Sequence, residues 1–337
     1  MFPTTDPEVW AQELKDFVPE RVFDVHVHLW RAEDIPQGIR FDPSDIGLDA
    51  FPSFTREQFR QTMARLLPGR TVEALAFGLP HKEIPREGVN RYVARTQAED
   101  PGIRGLAVIG PHDDMAQVRS WIEGCGLLGY KPYWNLVRGK APAEVTIRDM
   151  FAPEQLEYAN RRGLLIMLHI PCPNRLAEPE NKQQERELSR QYPDIAWVLA
   201  HIGRAYFMAA LEGHLEELCG LDNVYFDLTF VSSPEVMAYT LRTAGVEKVL
   251  FGSDLPISDL KGKNVDFNNQ RLYVTEQPFA WSMSNPALKL RFTRFYYEEL
   301  RALKRAARTL RLTDRQVEDI FYGNAERIVR AVQNRRD

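Results

Sequence analysis

Short apolar runs recur along the chain, each closed by polar or turn residues and each separated from the next by a stretch with helical spacing. Eight such runs stand out: 21–28 RVFDVHVH, 71–79 TVEALAFGL, 103–109 IRGLAVI, 127–133 LLGYKPY, 164–169 LLIMLH, 195–200 IAWVLA, 223–229 NVYFDLT and 247–253 EKVLFGS. Helices are expected around 84–98, 112–123, 153–162, 180–191, 204–219 and 234–244, several opened by a proline or an acidic residue, as helix starts prefer. Near-continuous apolar strands alternating with helices predict a parallel sheet covered by helices, and eight units predict a closed (β/α)8 TIM barrel of the α/β class. An open doubly wound sheet is the alternative. Against it, neither G-x-G-x-x-G nor G-x-x-x-x-G-K-[ST] follows the first strand.

Two connections exceed a minimal barrel and make the expected barrel a distorted one. Residues 29–55, rich in proline and aspartate, follow the first strand, and the span 29–70 reads as an insertion covering an active site. A second long polar segment, 255–285, follows the eighth strand. After it, PALKLRFTRFYYEELRALKRAARTL places Leu288, Phe292, Phe295, Tyr296, Leu303 and Leu310 near helical spacing, which predicts one long amphipathic helix. Residues 286–337 then read as C-terminal helices packed on the barrel, and 1–337 as a single domain with no internal repeat.

Composition narrows the partners. With 44% hydrophobic and 27% charged residues the chain is ordinary for a globular protein, and 43 basic against 47 acidic residues leave a formal charge of −4. No global basic field recruits nucleic acid or a membrane surface, so a small molecule is the expected partner and any preference for anions must be local. Cys125, Cys172 and Cys219 form no C-x-x-C pair, which disfavours a disulfide framework or thiolate zinc site and favours a reducing compartment. The first residues lack a basic segment followed by an apolar one, and no apolar run approaches the roughly 18 residues of a membrane span, so a cytoplasmic protein is expected.

The candidate chemistry begins with the two histidines of the first strand. Strict alternation places Asp24, His26 and His28 on one face and Phe23, Val25 and Val27 on the other, the packing face. Alone, an H-x-H pair reads equally well as buried imidazoles satisfied by backbone carbonyls. The wider set shifts the balance: of seven histidines, His26, His28, His169 and His201 fall at C-terminal strand ends, and Asp254 directly follows the eighth strand. In a barrel these ends share one rim, where active sites are built. Nitrogen and carboxylate donors without thiolate suit Zn²⁺ or another divalent first-row ion, with His26, His28, His169 and Asp254 as candidate ligands. His112 and His214 read as surface groups, and His81, on the rim, as facing solvent rather than substrate. Lys131 and Arg204 either hold an acidic substrate or form structural ion pairs; Tyr133, Trp134 and Trp30 either line the pocket or pack; Asp24 anchors the barrel interior.

These residues carry a resemblance. DVHVH, MLHIP, LAHIGR, FGSDLP and the late IFYGNAERI resemble the amidohydrolase superfamily, in the amidohydrolase-related branch of lactonases, aminocarboxymuconate-semialdehyde decarboxylase-like enzymes and resorcylate-type decarboxylases, over residues 21 to about 330. The resemblance implies a distorted TIM barrel, His26, His28, His169 and Asp254 around one divalent ion, Zn²⁺ or Mn²⁺, His201 beside it, and often a homodimer. In other branches a lysine at the position of Lys131 is carboxylated and bridges two metals; in this branch it usually is not, so one ion is expected rather than two. The expected activity is hydrolysis of a small carboxylate-bearing ester, lactone or amide, with Asp254 and His201 as catalytic residues and Lys131, Arg204, Tyr133 and Trp30 contacting substrate. The alternatives are a metal-dependent non-oxidative decarboxylase and a metal-free barrel that only binds.

Overall fold

In the computed structural model, which describes residues 3–39, 50–171 and 173–335, the apolar runs pair in chain order as one parallel sheet of eight strands. These are β1 (Arg21–His28), β2 (Thr71–Phe77), β3 (Ile103–Ile109), β4 (Gly129–Pro132), β5 (Leu165–Leu168), β6 (Ala196–Leu199), β7 (Val224–Asp227) and β8 (Val249–Leu250). β8 is short, and the chain beyond it completes the ring: Val25 donates to the carbonyl of Phe251, Asp254 to that of His26, and His28 to that of Leu255. The architecture is the (β/α)8 barrel that the pattern predicts, with helices such as Arg56–Leu66, Arg86–Glu99, Pro153–Arg162, Pro179–Gln191 and Pro234–Ala244 between strands.

The register of β1 overturns the strict alternation expected from the sequence. Asp24 pairs with Ala74 and Val27 with Ala76, so an extra residue of β1 is accommodated between them as a bulge. Phe23 and Val25 therefore pack in the barrel interior with Leu75, Phe77, Leu106 and Val108. Val22 and Val27 instead join the layer between strands and helices. The bulge thus follows the inward Val25 with His26 at the mouth, while Asp24 turns to the strand junction, where its Oδ1 accepts from the backbone N–H groups of His26 and Ser253.

Three other expectations change. The polar segment 255–285 holds an antiparallel hairpin, β9 (Gly262–Asp266) and β10 (Arg271–Thr275). The long C-terminal helix starts at Phe295, not near 286: a bridge between Lys261 and Arg294 and the bonds Gly262 N–H to Thr293 O and Phe295 N–H to Leu260 O hold the preceding segment extended. The helix expected over 204–219 is broken into the turn His201–Arg204, the 3-10 turn Met208–Ala210 and the short helix Glu216–Cys219. At the opposite end of the barrel, Ala325, Ile328, Val329 and Val332 of the last helix (Asn324–Asn334) pack into the interior core. Among the described residues no helix is long and apolar enough to cross a membrane.

Candidate metal centre

At the strand C-termini a cavity of about 340 Å³ opens, lined among others by Trp30, His81, Tyr133, His169, His201, Arg204 and Asp254. Within it, His26, His28 and Asp254 each offer a ligand atom within 4.8 Å of the others, and all three are buried. The nearest approaches are His28 Nε2 to Asp254 Oδ1 at 3.3 Å and His26 Nε2 to the same oxygen at 3.6 Å. His201 stands beside them, its ring centroid 4.9 Å from that of His26.

The tautomers follow from what holds the other ring nitrogen. His26 Nδ1 meets Asp227 Oδ2 at 2.9 Å, His28 Nδ1 meets the Gly78 carbonyl at 3.4 Å, and His201 Nδ1 meets the Thr229 carbonyl at 2.9 Å. Carbonyl and carboxylate oxygens accept, so each Nδ1 donates and each Nε2 keeps its lone pair. Burial holds His26 well below the usual imidazole range, reinforced by Lys131, and pushes His201 down to about 3. Burial alone would raise the Asp254 carboxyl, but close contact with His28 and the neighbouring imidazoles brings it well below the usual carboxylate range. Two imidazole nitrogens and an ionised carboxylate oxygen converging on one point fit a divalent cation.

Backbone strain is concentrated at the same rim. His201, Ile202, Gly203 and Arg204 have φ of 55°, 54°, 63° and 63°, a single left-handed turn that costs about 1 kcal/mol or more per non-glycine residue. It is held by Arg204 N–H to Ala200 O at 3.1 Å, by His201 N–H to Asp227 Oδ1 at 2.6 Å and by the buried Ile202 side chain. Three residues apart on one turn, His201 and Arg204 both face the cavity. Close approach matters at Gly252 too, where a Cβ would lie 2.3 Å from Thr229 Oγ1 and 3.0 Å from His26 Cβ.

The residues singled out in the sequence divide into three groups. His26, His28 and Asp254 form the compact trio. His169, His201, Arg204, Tyr133 and Trp30 line the cavity outside it; His169 stacks on Tyr133 at 4.4 Å and its Nε2 lies 3.4 Å from the Tyr133 hydroxyl, while its Nδ1 is buried without a partner. Lys131, expected to contact substrate, is not among the residues lining the cavity: it is 0% exposed, with Nζ 3.4 Å from His26 Nε2 and 4.5 Å from the Phe77 ring centroid. Burial pushes its pKa down to about 8 against the opposing pull of Asp227 and Asp254. His81, expected toward solvent, is 4% exposed and lines the cavity, because the turn after β2 folds back so that Glu83 N–H donates to His81 Nδ1.

Other residues were not singled out from the sequence. Asp227 ends β7, a rim position the strand pattern already marked. Arg175, Tyr206, Arg271 and Tyr273 line the cavity from connections, and the period-two alternation of Arg271 and Tyr273 in RLYVT was the available signal.

A sequence profile of the amidohydrolase family matches residues 23–331, and the chain belongs to that family, whose enzymes are metal-dependent. No curated protein matches the sequence. Solved structures agree in fold. An amidohydrolase from Burkholderia multivorans, solved with bound HEPES, has 15% identity and a TM-score of 0.59 over 92% of this chain and 99% of its own. The 4-oxalomesaconate hydratase of Rhodopseudomonas palustris has 16% identity and a TM-score of 0.57 over 93% and 97%. A dihydroxybenzoic acid decarboxylase from Polaromonas, solved with manganese and the inhibitor 2-nitroresorcinol, has 12% identity and a TM-score of 0.57 over 93% and 97%.

Proposed function

We propose that this protein is a divalent-metal-dependent hydrolase of a small carboxylate-bearing ester, lactone or amide. The observation that carries the reading is the convergence of His26 Nε2, His28 Nε2 and an Asp254 oxygen with the Nδ1 atoms of both imidazoles tied back. In this reading His26, His28 and Asp254 would hold one ion, with His169 as a further candidate ligand; Zn²⁺ leads, with Mn²⁺ as substitute. A bound divalent ion supplies Lewis acidity, which acidifies water and polarises a carbonyl. Asp254, ionised and buried at the cavity floor, takes the proton of the attacking water and delivers it to the leaving group. His201, neutral with Nδ1 donating to the Thr229 carbonyl, presents an Nε2 lone pair that accepts from the attacking water or a substrate hydroxyl and so orients it, and Trp30 and Tyr133 wall off solvent.

The second reading, non-oxidative decarboxylation, draws support from the decarboxylase among the structural neighbours and from arginines in the cavity that suit a carboxylate. Screening the Zn²⁺- and Mn²⁺-loaded protein against lactones and aryl esters, and against phenolic and enol carboxylates with CO₂ detection, separates the two. Asp254→Asn is expected to lower turnover of the hydrolysed substrate about 10²–10⁴-fold. Activity confined to CO₂ release, or full activity in Asp254→Asn, overturns the hydrolase reading.

A further inference from the structure

Three guanidinium groups line the cavity, Arg175, Arg204 and Arg271, against one carboxylate, Asp254. Among the described residues none of the three forms an ion pair with a carboxylate, although arginines elsewhere in the protein do so readily, Arg60 on Asp100 and Arg294 on Asp259 among them. They gather around one ring: Arg271 lies 3.7 Å and Arg175 5.6 Å from the Tyr206 centroid, and Arg204 precedes Tyr206 by two residues. Arg204 donates from Nη1 to the Ile170 carbonyl, but the Nε atoms of Arg175 and Arg204 are buried with no acceptor.

Such an arrangement is costly on its own, since half-buried cations without a paired carboxylate lose solvation and repel one another. Burial, reinforced by Arg204 and Arg271, brings Arg175 down to about 10. The cluster is nevertheless fixed in place. Arg175 and Arg204 hold left-handed backbone at φ 56° and 63°, and Arg271 is wedged between the rings of Tyr206 and Tyr273, 4.4 Å from the latter centroid. The hairpin carrying it is anchored to the barrel by Asn264 Nδ2 on the Phe230 carbonyl and by Ser232 Oγ on the Asn264 carbonyl.

We propose that the cavity takes a small polycarboxylate, with at least two carboxylates seated on Arg175, Arg204 and Arg271. A single carboxylate would satisfy one planar guanidinium fork and leave the others uncompensated. The volume of about 340 Å³ sets the scale of a small metabolite. The inference deepens the hydrolase reading, and rests on it only for the bond that is cleaved.

The test is calorimetric titration of the metal-loaded protein with tricarballylate, glutarate, butyrate and inorganic phosphate, none of which has a scissile bond. Tricarballylate and glutarate are expected to bind about tenfold or more tighter than butyrate, and Arg175→Gln and Arg271→Gln each to weaken tricarballylate by about tenfold or more. Arg60→Gln, on a paired arginine outside the cavity, leaves the affinity unchanged; Arg271→Lys keeps charge without the fork and covers the case in which the glutamine variant fails to fold. Equal affinity for butyrate and tricarballylate, tighter binding of phosphate than of either dianion or trianion, or affinities untouched by the arginine variants would overturn the proposal, the last because chelation of the ion alone would explain the binding. Arginine-dependent binding without hydrolysis of any lactone, ester or amide would sink the hydrolase reading and leave this one standing.

Discussion

Asp227 meets His26 through an Oδ2 to Nδ1 contact of 2.9 Å with both side chains buried, and the other oxygen of the same carboxylate accepts the backbone N–H of His201 at 2.6 Å and that of Thr229 at 3.2 Å. One side chain on β7 therefore fixes the tautomer of an imidazole on β1 and the start of the left-handed turn after β6. Burial raises the Asp227 pKa, against the opposing effects of His201 and its N–H and of Lys131. Its contribution is orientation, since it does not line the cavity.

Asp227→Asn tests that role. The amide keeps one acceptor for the N–H groups of His201 and Thr229 but turns an N–H toward His26 Nδ1, which draws the imidazole proton to Nε2 and removes the lone pair facing Asp254. Metal affinity is expected to fall about 10–100-fold, read by competition with a chromogenic chelator. An affinity equal to wild type would show that the Asp227 contact has no bearing on the trio.

Metal removal gives a second check that does not depend on substrate. An ion bound to the folded chain alone stabilises it by mass action, about 2.7 kcal/mol at a free concentration one hundred times Kd. Dialysis against a chelator is expected to lower the calorimetric unfolding temperature, and Zn²⁺ to restore it. In His26→Ala the restoring shift should be lost. A melting temperature indifferent to both chelator and Zn²⁺ would contradict a resident ion.

Much of this centre is legible in the sequence, because strand ends and barrel order bring His26, His28, His201 and Asp254 to one rim whatever the loops do. What escaped depends on contacts distant in sequence. The bulge in β1 arises from how that strand meets both β2 and the chain after β8, so period-two reading could not separate Val27 from Phe23 and Val25. Arg271 lay in a segment that reads as polar loop until its pairing with β9 makes it a strand. His81 points inward through a two-residue turn bond, and Lys131 is fully buried beside His26 Nε2; neither carries a periodic signal.

Glu185 makes a prediction away from the centre. Both of its carboxylate oxygens are buried without partners in a small apolar pocket shared with Leu168, Leu188, Trp197 and Leu199, and burial raises its pKa to about 8. The folded state then binds a proton that the unfolded state releases near pH 4.5. The fold therefore loses stability as pH rises from there through 8, by at most about 1.4 kcal/mol per pH unit. Glu185→Gln is expected to abolish this slope, and calorimetry at pH 5, 7 and 9 should show the variant gaining on wild type toward high pH. Parallel curves for the two proteins would refute it.

Gly203→Ala probes the strained turn. At φ 63° the residue sits where a side chain is disfavoured, and a Cβ would lie 2.9 Å from Ile170 Cδ1 and 3.2 Å from Leu176 Cδ1. Leu176 neighbours Arg175, and Ile170 supplies the carbonyl that holds Arg204, so relief of the clash moves both arginines as well as His201. Destabilisation of about 1–3 kcal/mol is expected from strain and overpacking together. Anion affinity should drop with it, while metal affinity, set by β1 and Asp254, changes less. If stability fell with tricarballylate binding intact, the turn would serve folding without positioning Arg204.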